Sequence, residues 1–387
     1  MSVSRRSFLR SLGVGGAAVA LPFVSARGME ARLEETVPEW LRAASPQASR
    51  LIRLDSNENP NGPAAEAFRA MTEGFGESNR YPDDHIRRVT VAIADHFKVP
   101  ADHVMLGCGS GETLKVAVEA FVTRDRQLVT AAPTFESPAR RADSLGLPVA
   151  AVPVDQGLRL DLDGMAAASR TGGLVFLCNP NNPTGTVHGA TAVRGVIDQI
   201  LKSSPDAIIL VDEAYHEYVD DPSYATMMPL ALEEPRVIVS RTFSKVHGMA
   251  GLRLGFAVGK PATLMKLRPH LVDSNVNVLV AEAAIASMAA TGHVEREVAR
   301  NNEGRRYTRE FFEKAGYTVV PSAANFLMVD IRRELRGFRE ACRQQGVAIG
   351  RPFPPFTNYA RISIGTMDEM RTATGVFARV LDASVGR

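Results

Sequence analysis

The sequence predicts an α/β protein: a large domain on a mainly parallel seven-stranded sheet, followed by a smaller α+β C-terminal domain. Two patterns predict it. Seven short apolar runs, at 103–106, 128–131, 148–152, 174–178, 207–211, 237–239 and 254–258, are separated by spacers of helical length, the alternation that builds parallel sheets. Three consecutive runs also end in polar clusters, at the end of the strand where an open α/β sheet places its ligand crevice.

The elements follow in chain order. Residues 1–28 read as a twin-arginine export signal. Ser4-Arg5-Arg6-Ser7-Phe8-Leu9-Arg10 precedes an apolar stretch from Leu12 to Val24, and Val24-Ser25-Ala26 offers small residues for cleavage. With Gly13, Gly15, Gly16 and Pro22 in it, the stretch is short and glycine-rich for a membrane span; uncleaved, it would act as an anchor. The implied partner is the twin-arginine export machinery, and the implied location is periplasmic or exported. Residues 29–62 form an N-terminal arm, suited to packing across a dimer interface or to serving as a linker. Residues 63–262 carry the seven strands, with a helix at Thr191–Lys202. Residues 263–387 form the smaller domain. An alanine-rich helical region runs to about residue 315, and strands are predicted at Tyr317–Val320, Phe326–Ile331, Val347–Ile349 and Arg361–Ile364.

Composition bounds the function. A hydrophobic fraction of 45% supports a sizeable core. Net charge is +2 and the basic residues are dispersed, which argues against nucleic acid and acidic membrane as partners. Cys108, Cys178 and Cys342 give no disulfide framework, and the eight histidines are scattered rather than grouped as metal ligands.

The chemistry gathers at Lys245, in Ser240-Arg241-Thr242-Phe243-Ser244-Lys245 after the run Val237-Ile238-Val239. An amine at the end of a buried strand is costly unless it has a task. Hydroxyls before it and Arg253 after it suggest a phosphate beside an amine, and hence pyridoxal phosphate. Two neighbouring segments strengthen this reading: Asn179-Pro180-Asn181-Asn182-Pro183-Thr184-Gly185 and Asp212-Glu213-Ala214-Tyr215. Asp212 can pair with a pyridine nitrogen and keep it protonated, and Asn182 and Tyr215 can donate to the ring oxygen. Lys245 can bond the aldehyde carbon and, once freed, carry a proton. Taken singly, each residue has a plainer reading: a solvated lysine, a helix-capping Asp212, a core Phe135, an ion-paired Arg361. Their ordered conjunction favours the cofactor.

The set resembles the fold-type I aminotransferases, and within them the histidinol-phosphate aminotransferase family, over roughly residues 50–380. The matching pieces are Leu54-Asp55-Ser56-Asn57-Glu58-Asn59-Pro60-Asn61-Gly62-Pro63, Arg80-Tyr81-Pro82-Asp83, Gly109-Ser110-Gly111-Glu112, Pro133-Thr134-Phe135 and Arg361-Ile362-Ser363-Ile364-Gly365-Thr366. The resemblance implies that Ser110 and Gly111 bind the phosphate at a helix N-terminus, that Ser244 and Arg253 complete that site with Thr242 nearby, and that Phe135 stacks on the ring. It implies a homodimer with shared active sites, in which Tyr81 reaches the partner's phosphate. It also implies that Arg361 grips a substrate carboxylate as a fork, while Asn182 adjoins the substrate.

Arg351 matches loosely the family's arginine for the phosphate of histidinol phosphate. Its surroundings, Gly350-Arg351-Pro352-Phe353-Pro354-Pro355-Phe356, are more apolar than the family pattern. The small-molecule substrates are therefore a 2-oxo acid and either histidinol phosphate or a general or aromatic amino acid. A decarboxylase, carbon–sulfur lyase or racemase on the same fold, or a non-catalytic binding protein, are the competing classes.

Overall fold

The protein is described as a computed structural model covering residues 51–382; the export segment and residues 29–50 of the arm lie outside the described residues. The chain opens with β1 (Ile52–Leu54), α1 (Ala65–Gly74), α2 (Asp83–Phe97), β2 (Val104–Gly107) and α3 (Ser110–Phe121). It continues with β3 (Gln127–Ala132), α4 (Ser137–Ser144), β4 (Val149–Pro153), α5 (Leu162–Ala168), β5 (Gly172–Cys178) and α6 (Ala190–Ser203). Next come β6 (Ile208–Asp212), α7 (Met228–Glu233), β7 (Val237–Thr242), β8 (Gly255–Val258), α8 (Pro261–Leu267), α9 (Val278–Ala289) and α10 (His293–Lys314). The C-terminal part holds β9 (Thr318–Val320), β10 (Phe326–Asp330), α11 (Leu335–Gln344), β11 (Val347–Ile349), β12 (Tyr359–Ser363) and α12 (Met367–Asp382).

All seven apolar runs are strands of one sheet, in the order β2-β8-β7-β6-β5-β3-β4. Its central pairs are parallel, while β8 runs antiparallel to both β2 and β7. Strand β5 is buried along its whole length, as expected for a strand covered on both faces. Helix α6 covers one face with Val193, Val196, Ile197 and Ile200, spaced as one helical stripe, and stops before Pro205. Register decides where function falls: Cys178 lies opposite Asp212, and Asp212 opposite Ser240. The C-terminal ends of β5, β6 and β7 are therefore level with one another.

The helical region read as continuous from about 262 to 315 is broken in three. Asn277 caps α9 by accepting the Val280 N–H at 2.9 Å, and Gly292 at φ +69° opens α10. Helix α9 packs on α1 and α2, and its Val280, Ala281 and Ala284 belong to the same apolar core as the sheet.

A second core gathers Phe312, Leu327, Phe338, Ile349, Ile362 and Phe377 around the antiparallel sheet β12-β10-β9. Leu54 joins it, because β1 pairs in parallel with β11. The segment from Asp55 to Asn61 thus leaves the second core and leads to α1 on the first. Phe377 is fully buried, with its ring 5.6 Å from Phe312 and 5.9 Å from Phe338. Phe377→Ala should cost about 3–5 kcal/mol, read from urea unfolding; a loss under about 1 kcal/mol would contradict this packing.

Candidate active site

The level strand ends open into a cavity of about 790 Å³, lined by residues around the large sheet and by Arg351, Phe353 and Arg361 from the C-terminal part. At its floor lies Lys245, three residues past β7. Its Nζ donates to the Asn57 carbonyl at 3.0 Å and sits 5.4 Å from the Tyr215 ring centre. Burial, with Arg361 adding like charge, lowers the amine to about 8 against Asp212's opposing pull, so its neutral form is reachable near physiological pH.

Asp212 ends β6. Burial pushes its carboxyl up to about 7, although Lys245 pulls it down. Its Oδ1 is buried with no hydrogen-bond partner. The adjacent Glu213 is as deeply buried but fully engaged: Oε1 accepts the Met227 N–H at 2.7 Å, and Oε2 takes Thr226 Oγ1 and Arg241 Nε. Of two neighbouring acids, one is satisfied by the fold and the other is left for a ligand. A protonated ring nitrogen fits that vacancy of bonding, because an adjacent positive charge favours the ionised carboxylate.

Asn182 Oδ1 accepts from Arg361 Nη1 at 2.7 Å, which fixes the amide orientation and leaves Nδ2 as the free donor. Tyr215 OH accepts from Asn57 Nδ2 at 3.1 Å. Burial holds the phenol well above its ordinary range, so its own proton remains available to donate. Both side chains line the cavity, as does Phe135.

Opposite these residues lies an anion cradle. Helix α3 begins at Ser110; the Glu112 N–H reaches back to the Gly109 carbonyl at 3.2 Å, while those of Ser110 and Gly111 have no intrahelical acceptor. The Arg253 guanidinium stands against this N-terminus. A Cβ added at Gly109 (φ +73°) would fall 2.1 Å from Arg253 Nη2, so glycine is required for the approach. Arg253, itself at φ +66°, is braced by the Ala250 carbonyl at 2.7 Å and Ser244 Oγ at 3.3 Å. A cation at the positive end of a helix is unfavourable on its own, and a phosphate between the two resolves the conflict. Thr242 Oγ1 accepts the Ser244 N–H at 3.1 Å and so shapes the loop that presents Ser244.

Arg361, in β12, brings the second core into the site. It donates to Asn182 Oδ1 and, through Nη2, to the Asp55 carbonyl at 2.7 Å, while its buried Nε has no partner. Burial lowers the guanidinium and the nearby Tyr215 opposes the shift. Free donors on a buried, fixed fork suit a carboxylate. Arg351 also lines the cavity, but its Nη2 is held by Glu136 Oε2 at 2.6 Å and its guanidinium lies 4.3 Å from the Phe353 ring centre. Tyr81 stands apart from the cavity and is 84% exposed.

Asn57 is the residue whose role the sequence left unread. At φ +54° it joins Lys245, Tyr215 and the second core: Ser363 Oγ donates to its Oδ1 at 2.9 Å, and Asn325 Nδ2 to its carbonyl at 3.0 Å. The available signal was a polar stretch with nothing to bury, Asp-Ser-Asn-Glu-Asn, directly after a strand. Glu136 was also missed, whereas Phe353 lines the cavity beside Arg351 as its place in the apolar 350–356 segment suggested.

A mainly parallel sheet whose strand ends carry a buried amine, an unsatisfied acid and a helix N-terminus facing an arginine has the parts that a pyridoxal-phosphate enzyme needs. Comparison with known proteins narrows this. Residues 49–377 match the family model for aminotransferase class I and II, and residues 2–22 match the TAT (twin-arginine translocation) pathway signal sequence. The chain is 34% identical over 339 residues to a histidinol-phosphate aminotransferase of Symbiobacterium thermophilum, covering 87% of this chain and 91% of that protein. It is 37% identical over 323 residues to an aromatic amino acid aminotransferase of Thermobifida fusca, with 83% and 88% covered. The fold superposes with a TM-score of 0.82 on histidinol-phosphate aminotransferase from Sinorhizobium meliloti in complex with pyridoxal-5'-phosphate, at 24% identity over 94% of this chain and 96% of that one. The chain belongs to the class I and II aminotransferases and is a pyridoxal-phosphate-dependent transaminase.

The raised Asp212 carboxyl has a consequence for stability. The cofactor-free native state holds a proton there that the unfolded chain gives up, so folding gains from this group below 3.8 and loses the gain as pH rises to about 7. Asp212→Asn removes that dependence. In urea unfolding of cofactor-free protein across this range, the variant should gain on the wild type as pH rises; parallel curves would contradict the assignment.

Proposed function

We propose that this enzyme moves an amino group between an α-amino acid and a 2-oxo acid, with Lys245, Asp212 and Tyr215 as its catalytic residues. The observation that carries the reading is the pairing, in one cavity, of a buried Lys245 amine near an unsatisfied Asp212 with a buried carboxylate fork at Arg361. Pyridoxal phosphate, when bound, supplies an aldehyde that takes the amino group and a ring that absorbs the electron pair released at the substrate α-carbon.

The side chains divide the remaining work. Ser110, Gly111, Ser244 and Arg253 hold the phosphate, with Thr242 supporting the loop. Phe135 would stack on the ring, Asp212 would keep the ring nitrogen charged, and Asn182 and Tyr215 would hold the ring oxygen. Arg361 fixes the substrate carboxylate, which points the α-hydrogen at Lys245. Lys245 would hold the cofactor aldehyde and, once released from it, would move the substrate proton with its lowered basicity. Tyr81, exposed on its own subunit, serves the phosphate site of a second copy in a homodimer.

The two relatives differ in donor. Histidinol phosphate carries a more highly charged phosphate ester in place of the carboxylate, and would need a second free cation beside Arg361. Arg351, the residue matched to that task, is already paired with Glu136. The amino acid reading is therefore the favoured one, and histidinol phosphate is the second reading because Arg351 does face the cavity. The twin-arginine segment supports work beyond the cytoplasmic membrane. Among the described residues no helix is long and apolar enough to cross a membrane.

Given donor alone, the holoenzyme should convert its cofactor to the amine form in a single turnover, followed by absorbance. Lys245→Ala should abolish this, and Arg361→Gln should lower kcat/KM for amino acids by about 10²-fold, chiefly through KM. A wild type that releases carbon dioxide instead of a 2-oxo acid would overturn the reading. A reporter fused to residues 1–30 should be exported, and Arg5→Lys with Arg6→Lys should stop it; unchanged export would contradict the signal.

A further inference from the structure

The cavity wall beyond Arg361 carries an arrangement of charge that the transfer chemistry does not use. Phe353 stands between two arginines: its ring centre is 4.8 Å from the Arg361 guanidinium and 4.3 Å from that of Arg351. Arg351 is in turn held by Glu136, whose carboxylate also takes Arg140. Burial opposes ionisation of Glu136, but Arg351 and Arg140 outweigh it and hold the carboxyl below its usual range. The neighbouring Arg141 is committed to Glu119 at 2.7 Å. The wall is therefore rich in cations that are already spoken for.

We propose that Glu136 is a specificity-determining residue: by pairing with Arg351, whose guanidinium lies against Phe353, it occupies the cation at the side-chain end of the cavity and so favours uncharged side chains over those ending in a carboxylate or phosphate. The inference deepens the amino acid reading and rests on it, since Arg361 must be the carboxylate anchor for Phe353 and Arg351 to face the substrate's far end. The physical argument is one of competition. An anionic side chain would compete with Glu136 for Arg351 and would be repelled by the Glu136 carboxylate beside it. A neutral side chain leaves the ion pair intact.

The test uses holoenzyme and two non-reacting ligands, 3-phenylpropionate, with one carboxylate and a ring, and glutarate, with a carboxylate at each end. Calorimetric titration gives the ratio of their affinities. Glu136→Gln should shift that ratio toward glutarate by about fivefold, the scale of a half-exposed ion pair. Arg351→Gln should shift it the other way, and the double variant should return close to wild type. The same order should appear in kcat/KM for phenylalanine against glutamate and against histidinol phosphate, the last arm separating phosphate from carboxylate. A ratio unmoved by Glu136→Gln, with thermal midpoint unchanged, overturns the proposal. Failure of every amino acid donor in the wild type would instead overturn the transamination substrate reading, while the ligand ratios would still decide the role of Glu136.

Discussion

A buried amine and a buried acid, held together at the edge of three level strands, are the constraint on which the rest of this structure depends. Removing Lys245 and Asp212 from water disfavours the charged form of both. Their mutual attraction offsets only part of that cost, because Asp212 Oδ1 remains without a partner. The fold holds them there through backbone register. Asp212 is aligned with Cys178 on one side and Ser240 on the other, and Lys245 is tied to the Asn57 carbonyl at 3.0 Å.

Glu213 shows what the same fold does with an acid it keeps for itself. Arg241 lies 2.8 Å away, and both side chains are almost wholly buried. Every carboxylate contact there is internal to the protein. The satisfied acid secures the β6–β7 edge, and the unsatisfied acid next to it faces the ligand. Asn57 performs the equivalent coupling between the cores. Because β1 belongs to the second core through β11, the segment that supplies Asn57 and the Asp55 carbonyl links Arg361, Lys245 and Tyr215. Local changes in this segment are felt at three functional groups at once.

Much of this was legible before any coordinates. The seven strands were readable because buried strands are continuous apolar runs, and Asp212, Tyr215, Asn182 and Lys245 because they follow such runs within a few residues, while Arg253 stands just before the run at 254–258. Arg361 was readable only through resemblance, since its partner Asn182 is 179 residues distant. Glu136 and Arg351, 215 residues apart, carry no local signal of their pairing. Asn57 was quoted within a motif, yet its role depends on a left-handed backbone and on Ser363 and Asn325. The break at Gly292 inside a helix-rich region was missed because alanine content masks a cap.

The most direct measurement is borohydride reduction of the purified, vitamin-loaded protein followed by peptide mass mapping. The account predicts a single pyridoxyl adduct on Lys245 and its absence when Arg253 and Ser244 are both replaced by alanine, because the cradle that seats the phosphate is gone. An adduct on another lysine such as Lys115, or no adduct on protein that is otherwise folded, would contradict it.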